Sequence, residues 1–414
     1  MITKEGGLRY AKLIHVSADN GKTGNSNKVY IMEELADGRI QCDYGRVGRE
    51  LTREYKDKSK WDSVLRQKLS TTKGYNDVTE LMVEPVVSAT GAKTVDITDA
   101  QVKQLMSDLM NFANQSIQRN YKVTQEAVSE QQVNAAQDII NSINQLIKNK
   151  AVVKDINDSL IRLYTTIPRK MKDVRDHLVA NIKEASELIA SEQDTLDTMA
   201  GQVKLLKQKA DMGQTSSDVT ILEQMGITME VETDPATLEL IYKLLGPNKN
   251  QVKRIFKVSN PKTKNIFDKR HNAMSVKKKR LYWHGSRNEN WFNLLQTGLM
   301  IRPAGAVHTG SMFGDGIYFA DKAQKAVGYS SLRGSYWTGG NANKGYLALF
   351  DVSVGRQKEI LNHTSSCYSL CEKVLQKDNY DSVFAKGGAD LRNNEYVIYN
   401  MQQCTISHLM ELGS

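Results

Sequence analysis

Gly310-Ser-Met-Phe-Gly-Asp-Gly-Ile-Tyr-Phe-Ala-Asp321 is the stretch on which the reading of the fold turns. Three glycines bring the chain round into a short strand, Ile317-Tyr-Phe-Ala320. A helical stretch then separates Tyr318 from Tyr329. Two tyrosines so placed can face each other and sandwich a flat ring, each aromatic contact adding ~0.5–1.5 kcal/mol beyond the area it buries. They serve equally well as two core tyrosines. Upstream, the apolar run Leu281-Tyr-Trp-His-Gly-Ser-Arg287 ends in histidine, glycine and serine. Gly285 lets a ligand approach the backbone, where one N–H and one C=O can grip a planar carboxamide. His284 and Ser286 offer hydrogen bonds to hydroxyls or phosphates, although a structural histidine before a turn explains the same triplet. Downstream, Asn393-Asn-Glu395-Tyr-Val-Ile-Tyr399 places an acid at the start of an apolar strand. A carboxylate there must be hydrogen-bonded or face a cleft or solvent. In a cleft it can stabilise developing positive charge.

Working outward, the chain has three compositional zones. Its 414 residues suggest about three domains. The last zone, 218–414, alternates strand-like runs with short helices, with strands expected at 252–258, 281–284, 346–354 and 395–400. Asp234-Pro235 opens a helix and Gly246-Pro247 closes it. The middle zone, 95–213, is helical: residues 92–200 hold no glycine and one proline, Pro168. Val102, Leu105, Met106, Leu109 and Met110 recur at helical spacing, as do Val133, Ala136, Ile140, Ile143 and Ile147. Thr98-x-x-Gln101 and Ser129-x-x-Gln132 have capping-box form at the two starts. Such amphipathic helices must bury one face, so a bundle is expected. The first zone, 1–88, shows short β-like runs (Lys28–Met32, Ile40–Tyr44) around an Asp37-Gly38 turn, then a helix near 60–69.

Composition bounds the rest. A hydrophobic fraction of 40% and a charged fraction of 25% describe a globular protein rather than a disordered or collagen-like chain. No run of about 18 apolar residues suits a membrane span, and Met1–Gly7 has no apolar core, so no secretory signal is expected. Cys42, Cys367, Cys371 and Cys404 are few and scattered, as reduced intracellular thiols are. His363, Cys367 and Cys371 fall at i, i+4 and i+8 on an expected helix. Zinc wants four ligands, so core cysteines and no metal are the reading. The charge of +9 is local: residues 251–280 hold eleven Lys/Arg against Asp268 alone. Such a segment attracts nucleic acid or is a solvated connection, and Lys277–Arg280 also has the form of a nuclear address.

His284-Gly-Ser, Tyr318 within Gly-Ile-Tyr-Phe-Ala-Asp, and Glu395 within Asn-Glu-Tyr-Val-Ile-Tyr together resemble the His-Tyr-Glu signature of the poly(ADP-ribose) polymerase family. The middle zone resembles that family's helical regulatory domain through Val133-Asn-Ala-Ala and Leu163-Tyr-Thr-Thr-Ile-Pro168. The first zone resembles its WGR domain through Tyr44-Gly-Arg-Val-Gly48. The fold implied is multidomain: a small β-rich WGR-like domain (1–88), an all-α helical bundle (95–213) and an α+β ADP-ribosyltransferase domain (218–414), without zinc fingers.

That resemblance implies NAD⁺ as substrate. Nicotinamide would lie on the Gly285 backbone, stacked against Tyr329 and closed over by Tyr318. His284, assisted by Ser286 and Asn290, would bind the adenine-side ribose, and Lys325 would stand near the pocket. Glu395 would bind the nicotinamide-side 2′-hydroxyl, stabilise an oxocarbenium-like state and activate the acceptor during chain growth. Met312 would line the acceptor side. Tyr44 and Arg46 would contact broken DNA, and the helical zone would restrain the cleft until DNA loosens it. Acceptors would be proteins, including the chain itself. The site of action would be intracellular and DNA-associated, the nucleus in a eukaryote and the cytoplasm or nucleoid in a bacterium. Two departures stand out: Ala326 replaces the family's serine three residues before Tyr329, and the segment 389–394 before Glu395 is short. A mono-transferase or NAD⁺ hydrolase, and a DNA-end binder with a silent transferase domain, remain alternatives.

Overall fold

The computed structural model describes residues 2–3, 7–19, 25–81, 95–121, 128–212, 219–301, 312–388 and 391–413. Gly310, Ser311, Ala389 and Asp390, singled out above, lie outside them. The chain divides into two compact units, Met1–Val87 with Asn114–Leu206, and Ser88–Ala113 with Lys207–Ser414.

In the first unit, β1 (Ile2–Thr3), β2 (Arg9–Ser17), β3 (Ser26–Glu34), β4 (Arg39–Arg46) and β5 (Thr52–Asp57) form an antiparallel sheet in that order. Helix α1 (Trp61–Leu69) follows, then β6 (Asn76–Asp77), which pairs with β2. Alternation on the pleat sends Ala11 and Leu13, Tyr30 and Met32, and Ile40 and Cys42 to one face, where α1 adds the fully buried Trp61. The turn between β3 and β4 passes through Gly38 at φ +82°, a left-handed conformation that favours glycine.

Four long helices follow: α2 (Ala100–Tyr121), α3 (Glu130–Lys148), α4 (Val153–Thr166) and α5 (Ile182–Met212). The Ser129 capping box forms as expected, with both reciprocal hydrogen bonds present. At the start of α2 the expectation fails. Asp99, not Thr98, accepts from the amides of Gln101 (2.8 Å) and Val102 (3.0 Å). A carboxylate one residue later reaches the same donors and is favoured by the positive helix end. The stripe Val133, Ala136, Ile140, Ile143 and Ile147 is buried, as the 3.6-residue period requires. Beyond α4, buried Arg169 grips buried Glu192 through two hydrogen bonds of 2.8 and 2.5 Å. Its backbone carbonyl accepts from Asn27 of β3 at 2.8 Å, so helices and sheet are tied within this unit.

The second unit takes in α2 as far as Ala113 and continues with the short α6 (Ile221–Met225), β7 (Thr228–Val231), α7 (Pro235–Leu245), β8 (Val252–Ser259) and α8 (Pro261–Ala273). Asp234 caps α7 and Gly246 ends it at φ +55°. Then come β9 (Lys279–Gly285), α9 (Asn288–Thr297), β10 (Ile317–Phe319), α10 (Ala323–Val327) and β11 (Lys344–Ser353). The chain finishes with β12 (Gln357–Ile360), α11 (Glu372–Lys377), β13 (Ser382–Ala385), β14 (Glu395–Ile398) and β15 (Cys404–Gly413). β14 stops two residues short of the expected end because Asn400 caps a 3-10 turn over Met401–Gln403.

Two sheets result, in the orders β7-β8-β15-β11-β9 and β10-β14-β13-β12. The first is antiparallel, and the second carries one parallel pair, β12 with β13. Ile241 and Leu245 of α7 and Ala323 and Ala326 of α10 cover one face of the larger sheet, over Ile255, Trp283, Leu347, Leu349, Met410 and Leu412. The smaller sheet packs Val383, Ala385 and Val397, with Tyr399 just past β14, against Phe313, Leu370 and Leu375.

Within the basic stretch, Arg254, Lys257, Lys264, Arg270 and Lys279 pair with Glu411, Glu230, Asp268, Glu372 and Asp351. Four of the eleven cations are thus paired with acids outside the stretch, and Lys264 with Asp268 four residues on. His363, Cys367 and Cys371 do not share a helix, contrary to expectation. A 3-10 turn over Ser365–Ser369 holds Cys367, and Cys371 precedes α11. No helix among the described residues is long and apolar enough to cross a membrane.

Candidate active site

The site forms where the two sheets of the second unit meet. Trp283 of β9 and Ala320, just past β10, exchange backbone hydrogen bonds of 2.8 and 3.0 Å. That bridge sets the next residue, His284, against β10, and its Nδ1 lies 3.1 Å from the Tyr318 carbonyl. A carbonyl only accepts, so Nδ1 carries the proton and a neutral ring leaves Nε2 as an acceptor. Burial pushes the His284 pKa down and favours that neutral form, against the opposing pull of the Tyr318 carbonyl. Phe319 and Phe350 meet the imidazole edge-on.

β10 also pairs with β14, in the register Tyr318↔Val397 and Phe319↔Tyr396, while β13 flanks β14 with Ala385↔Glu395. Glu395 is thereby the first residue of an internal strand, at its mouth. Helix α10 then brings Lys325 across. Its ammonium donates to the Asn394 carbonyl at 2.7 Å and pairs with the Glu395 carboxylate. Both side chains are largely buried. Burial raises the Glu395 pKa and lowers that of Lys325, and the pair only partly restores each charge.

The Tyr318 hydroxyl accepts from the Phe313 amide at 2.9 Å and donates to the Gly314 carbonyl at 2.8 Å. Gly314 sits at φ +77°, and a Cβ there would lie 2.1 Å from the Leu370 carbonyl oxygen, so the reversal into β10 requires glycine. Burial raises the Tyr318 pKa, with Glu395 among the further causes. Tyr329, just past α10, is pushed up to about 12 by burial and by the nearby Glu395 charge. The last turn of α10 is seated on Gly285. An added Cβ would come within 1.8 Å of the Ala326 carbonyl oxygen, which also accepts from the Tyr329 amide at 3.0 Å. Gly285 therefore fixes where Tyr329 stands.

Asn290 donates to the Ser286 hydroxyl at 3.0 Å, at the start of α9. Met312 packs against the smaller sheet's core, and its carbonyl takes a 2.8 Å hydrogen bond from His363. Tyr44 and Arg46 belong to the first unit. Tyr44 stacks on Tyr30 with centroids 5.6 Å apart. Arg46 donates to the carbonyls of Met171 (3.1 Å) and Lys172 (2.5 Å) and to the Asn25 side chain (3.0 Å).

Two residues that the sequence reading left without a role stand behind Glu395. Asn394 accepts from the Gly387 amide at 2.9 Å and donates to Asp321 at 2.7 Å, which orients the backbone that presents the acid. Both lay inside the quoted motifs. Polar residues flanking a strand mouth were the available signal, and nothing in their spacing said that they pair.

Residues 239–413 match the poly(ADP-ribose) polymerase catalytic domain. Among curated proteins, the chain is 32% identical over 195 residues to uncharacterized protein 101L of Invertebrate iridescent virus 6, covering 47% of this chain and 78% of that protein. A poly(ADP-ribose) polymerase-like protein, 100L, of the same virus is 31% identical over 166 residues, 39% of this chain and 87% of that one. The poly(ADP-ribose) polymerase of Drosophila melanogaster is 26% identical over 331 residues, 69% of this chain but 31% of that protein. The chain belongs to the poly(ADP-ribose) polymerase family, and residues 239–413 are an NAD⁺ ADP-ribosyltransferase domain.

Proposed function

We propose that this protein is a DNA-break-stimulated ADP-ribosyltransferase that transfers and elongates ADP-ribose chains on protein acceptors, itself included, releasing nicotinamide. The observation that carries the reading is the Glu395–Lys325 pair at the mouth of β14, with Tyr318 and Tyr329 inside the field of that carboxylate.

Nicotinamide lies on the Gly285 backbone between the rings of Tyr318 and Tyr329. His284, through Nε2, accepts from an adenine-side ribose hydroxyl, and Ser286 with Asn290 extends that contact. As the glycosidic bond lengthens, positive charge grows on the ribose. The Glu395 carboxylate stabilises it and holds the 2′-hydroxyl. Water is largely excluded around that carboxylate, so the attraction is stronger than in bulk solvent. Lys325 pulls the Glu395 pKa back down against its burial and so favours the ionised form. During elongation Glu395 accepts the proton of the incoming hydroxyl, and Met312 lines the acceptor side. Tyr44 and Arg46 carry the contact with broken DNA, and the domain order 1–88, 95–213 and 218–414 is that of the family's DNA-dependent members.

Incubation with labelled NAD⁺, with and without nicked or broken duplex DNA, followed by a denaturing gel, tests all of this at once. A ladder that strengthens with DNA is expected. A single band or free ADP-ribose would overturn elongation. A ladder indifferent to DNA would overturn the sensor role, and no turnover would overturn activity.

A further inference from the structure

Tyr329 does not stand alone at the rim of the cleft. The indole of Trp337 stacks on it, with ring centroids 5.9 Å apart and planes 17° from parallel. The backbone sets Trp337 there. Its amide donates to the Gly328 carbonyl at 2.9 Å, and a Cβ added to Gly328 would lie 2.9 Å from the indole Cδ1. The loop behind it is braced from within. Ser335 donates to the Val327 carbonyl at 2.9 Å and lies 3.0 Å from the Ser330 hydroxyl. Arg333 and Gly334 donate from their amides to the carbonyls of Ala342 (2.8 Å) and Gly340 (3.1 Å). Yet the indole is 61% exposed, and Tyr336, edge-on to it at 4.7 Å, is 80% exposed. A loop braced in this way thus sets its largest side chain against one tyrosine instead of burying it in a core.

We propose that Trp337 is a positioning residue for NAD⁺ binding, acting through Tyr329. The inference rests on the place given above to Tyr329 in the nicotinamide pocket. Tyr329 is itself 37% exposed, so its ring would otherwise sample several rotamers. Stacking on Trp337 selects one of them in the free protein. The ordering cost is then met on folding rather than on binding, and it appears as tighter substrate binding with chemistry unchanged.

Steady-state NAD⁺ kinetics on the full chain, with Trp337→Ala, Trp337→Phe and Tyr329→Ala in parallel, test this. Trp337→Ala should raise KM for NAD⁺ about three- to tenfold, with kcat within about twofold, as expected for loss of one aromatic contact. Trp337→Phe should restore KM to within about twofold of the parent. The indole's own fluorescence, isolated as the difference between the parent and Trp337→Phe, should change as nicotinamide saturates the site. A parent-like KM in Trp337→Ala beside a raised KM in Tyr329→Ala would overturn the role of Trp337 alone. Parent-like KM values in both would overturn the pocket reading of Tyr329, and this inference with it. A loss of kcat and melting temperature that phenylalanine does not rescue would reduce Trp337 to a loop-folding residue.

Discussion

The first unit and the cleft of the second each hold a cation that the sequence singled out, Arg46 and Lys325, in opposite conditions. Arg46 donates to two backbone carbonyls and to an asparagine, and Tyr44 stacks on Tyr30 beside the sheet core. Lys325 instead meets an acid that burial drives toward neutrality, at a strand mouth rather than within a core. Nε and Nη2 of the guanidinium serve their own unit, in addition to the DNA contact proposed for Arg46. The ammonium is occupied with holding another side chain ready. A functional group is therefore known less by its type than by what its partners leave undone.

The sharpest way to break this contrast is Glu395→Gln, which keeps shape and removes charge. It should cost about a hundredfold or more in kcat, the scale of losing one preorganised electrostatic stabiliser. The buried Lys325 ammonium loses its counter-charge, so the melting temperature should fall too, and kcat is compared well below that transition, where the variant is folded. A variant retaining long polymers would detach Glu395 from the chemistry.

Gly285→Ala comes next. Its Cβ would press on the Ala326 carbonyl oxygen, so α10 must shift, at a cost of about 1–3 kcal/mol in denaturant-measured stability. KM for NAD⁺ should rise with it, because Tyr329 hangs from the same carbonyl. A stable Gly285→Ala with parent kinetics would show that α10 is not registered on β9 as described.

Arg46→Ala probes the other half of the comparison. Losing hydrogen bonds from a charged donor should cost the first unit about 1–3 kcal/mol, read as a lower melting temperature. Stimulation by broken DNA should fall more than basal turnover. Equal loss of both would place Arg46 among purely structural residues.

The smallest effect is in pH dependence. Glu395 is competent as a carboxylate and its pKa is raised, so activity fails on acidification at a higher pH than an ordinary glutamate would give. Lys325→Met removes the cation that pulls this pKa back down. The acid limb of kcat/KM should therefore move to still higher pH, with the plateau above it less affected. An unmoved limb would mean that another group titrates there.

The sequence was legible where local rules govern. The glycine-free span reads as helix and Ser129-x-x-Gln132 as a capping box, and the structure shows both. The strand at Glu395 forms, but Glu395 and Tyr396 are half-buried and Val397 and Ile398 buried, so it does not alternate as expected. Thr98 was misread because two adjacent side chains compete for the same amides, and the sequence does not rank them. The His363–Cys371 spacing suggested one helix because periodicity ignores the 3-10 turn that interrupts it. Asp321, Asn394 and Trp337 went unassigned because their partners stand behind a strand or across a loop, beyond the reach of spacing.

By itself, then, the sequence determined the helical and strand content, the family, and the three short motifs from which a cleft can be built, since these follow from residue type and nearest neighbours. Only the tertiary structure decided that β14 runs between β10 and β13, that Lys325 meets Glu395, and that the Ala326 carbonyl seats Tyr329 on Gly285. Those contacts join residues tens of positions apart, and sheet order, not local preference, brings them within a few ångströms of one another.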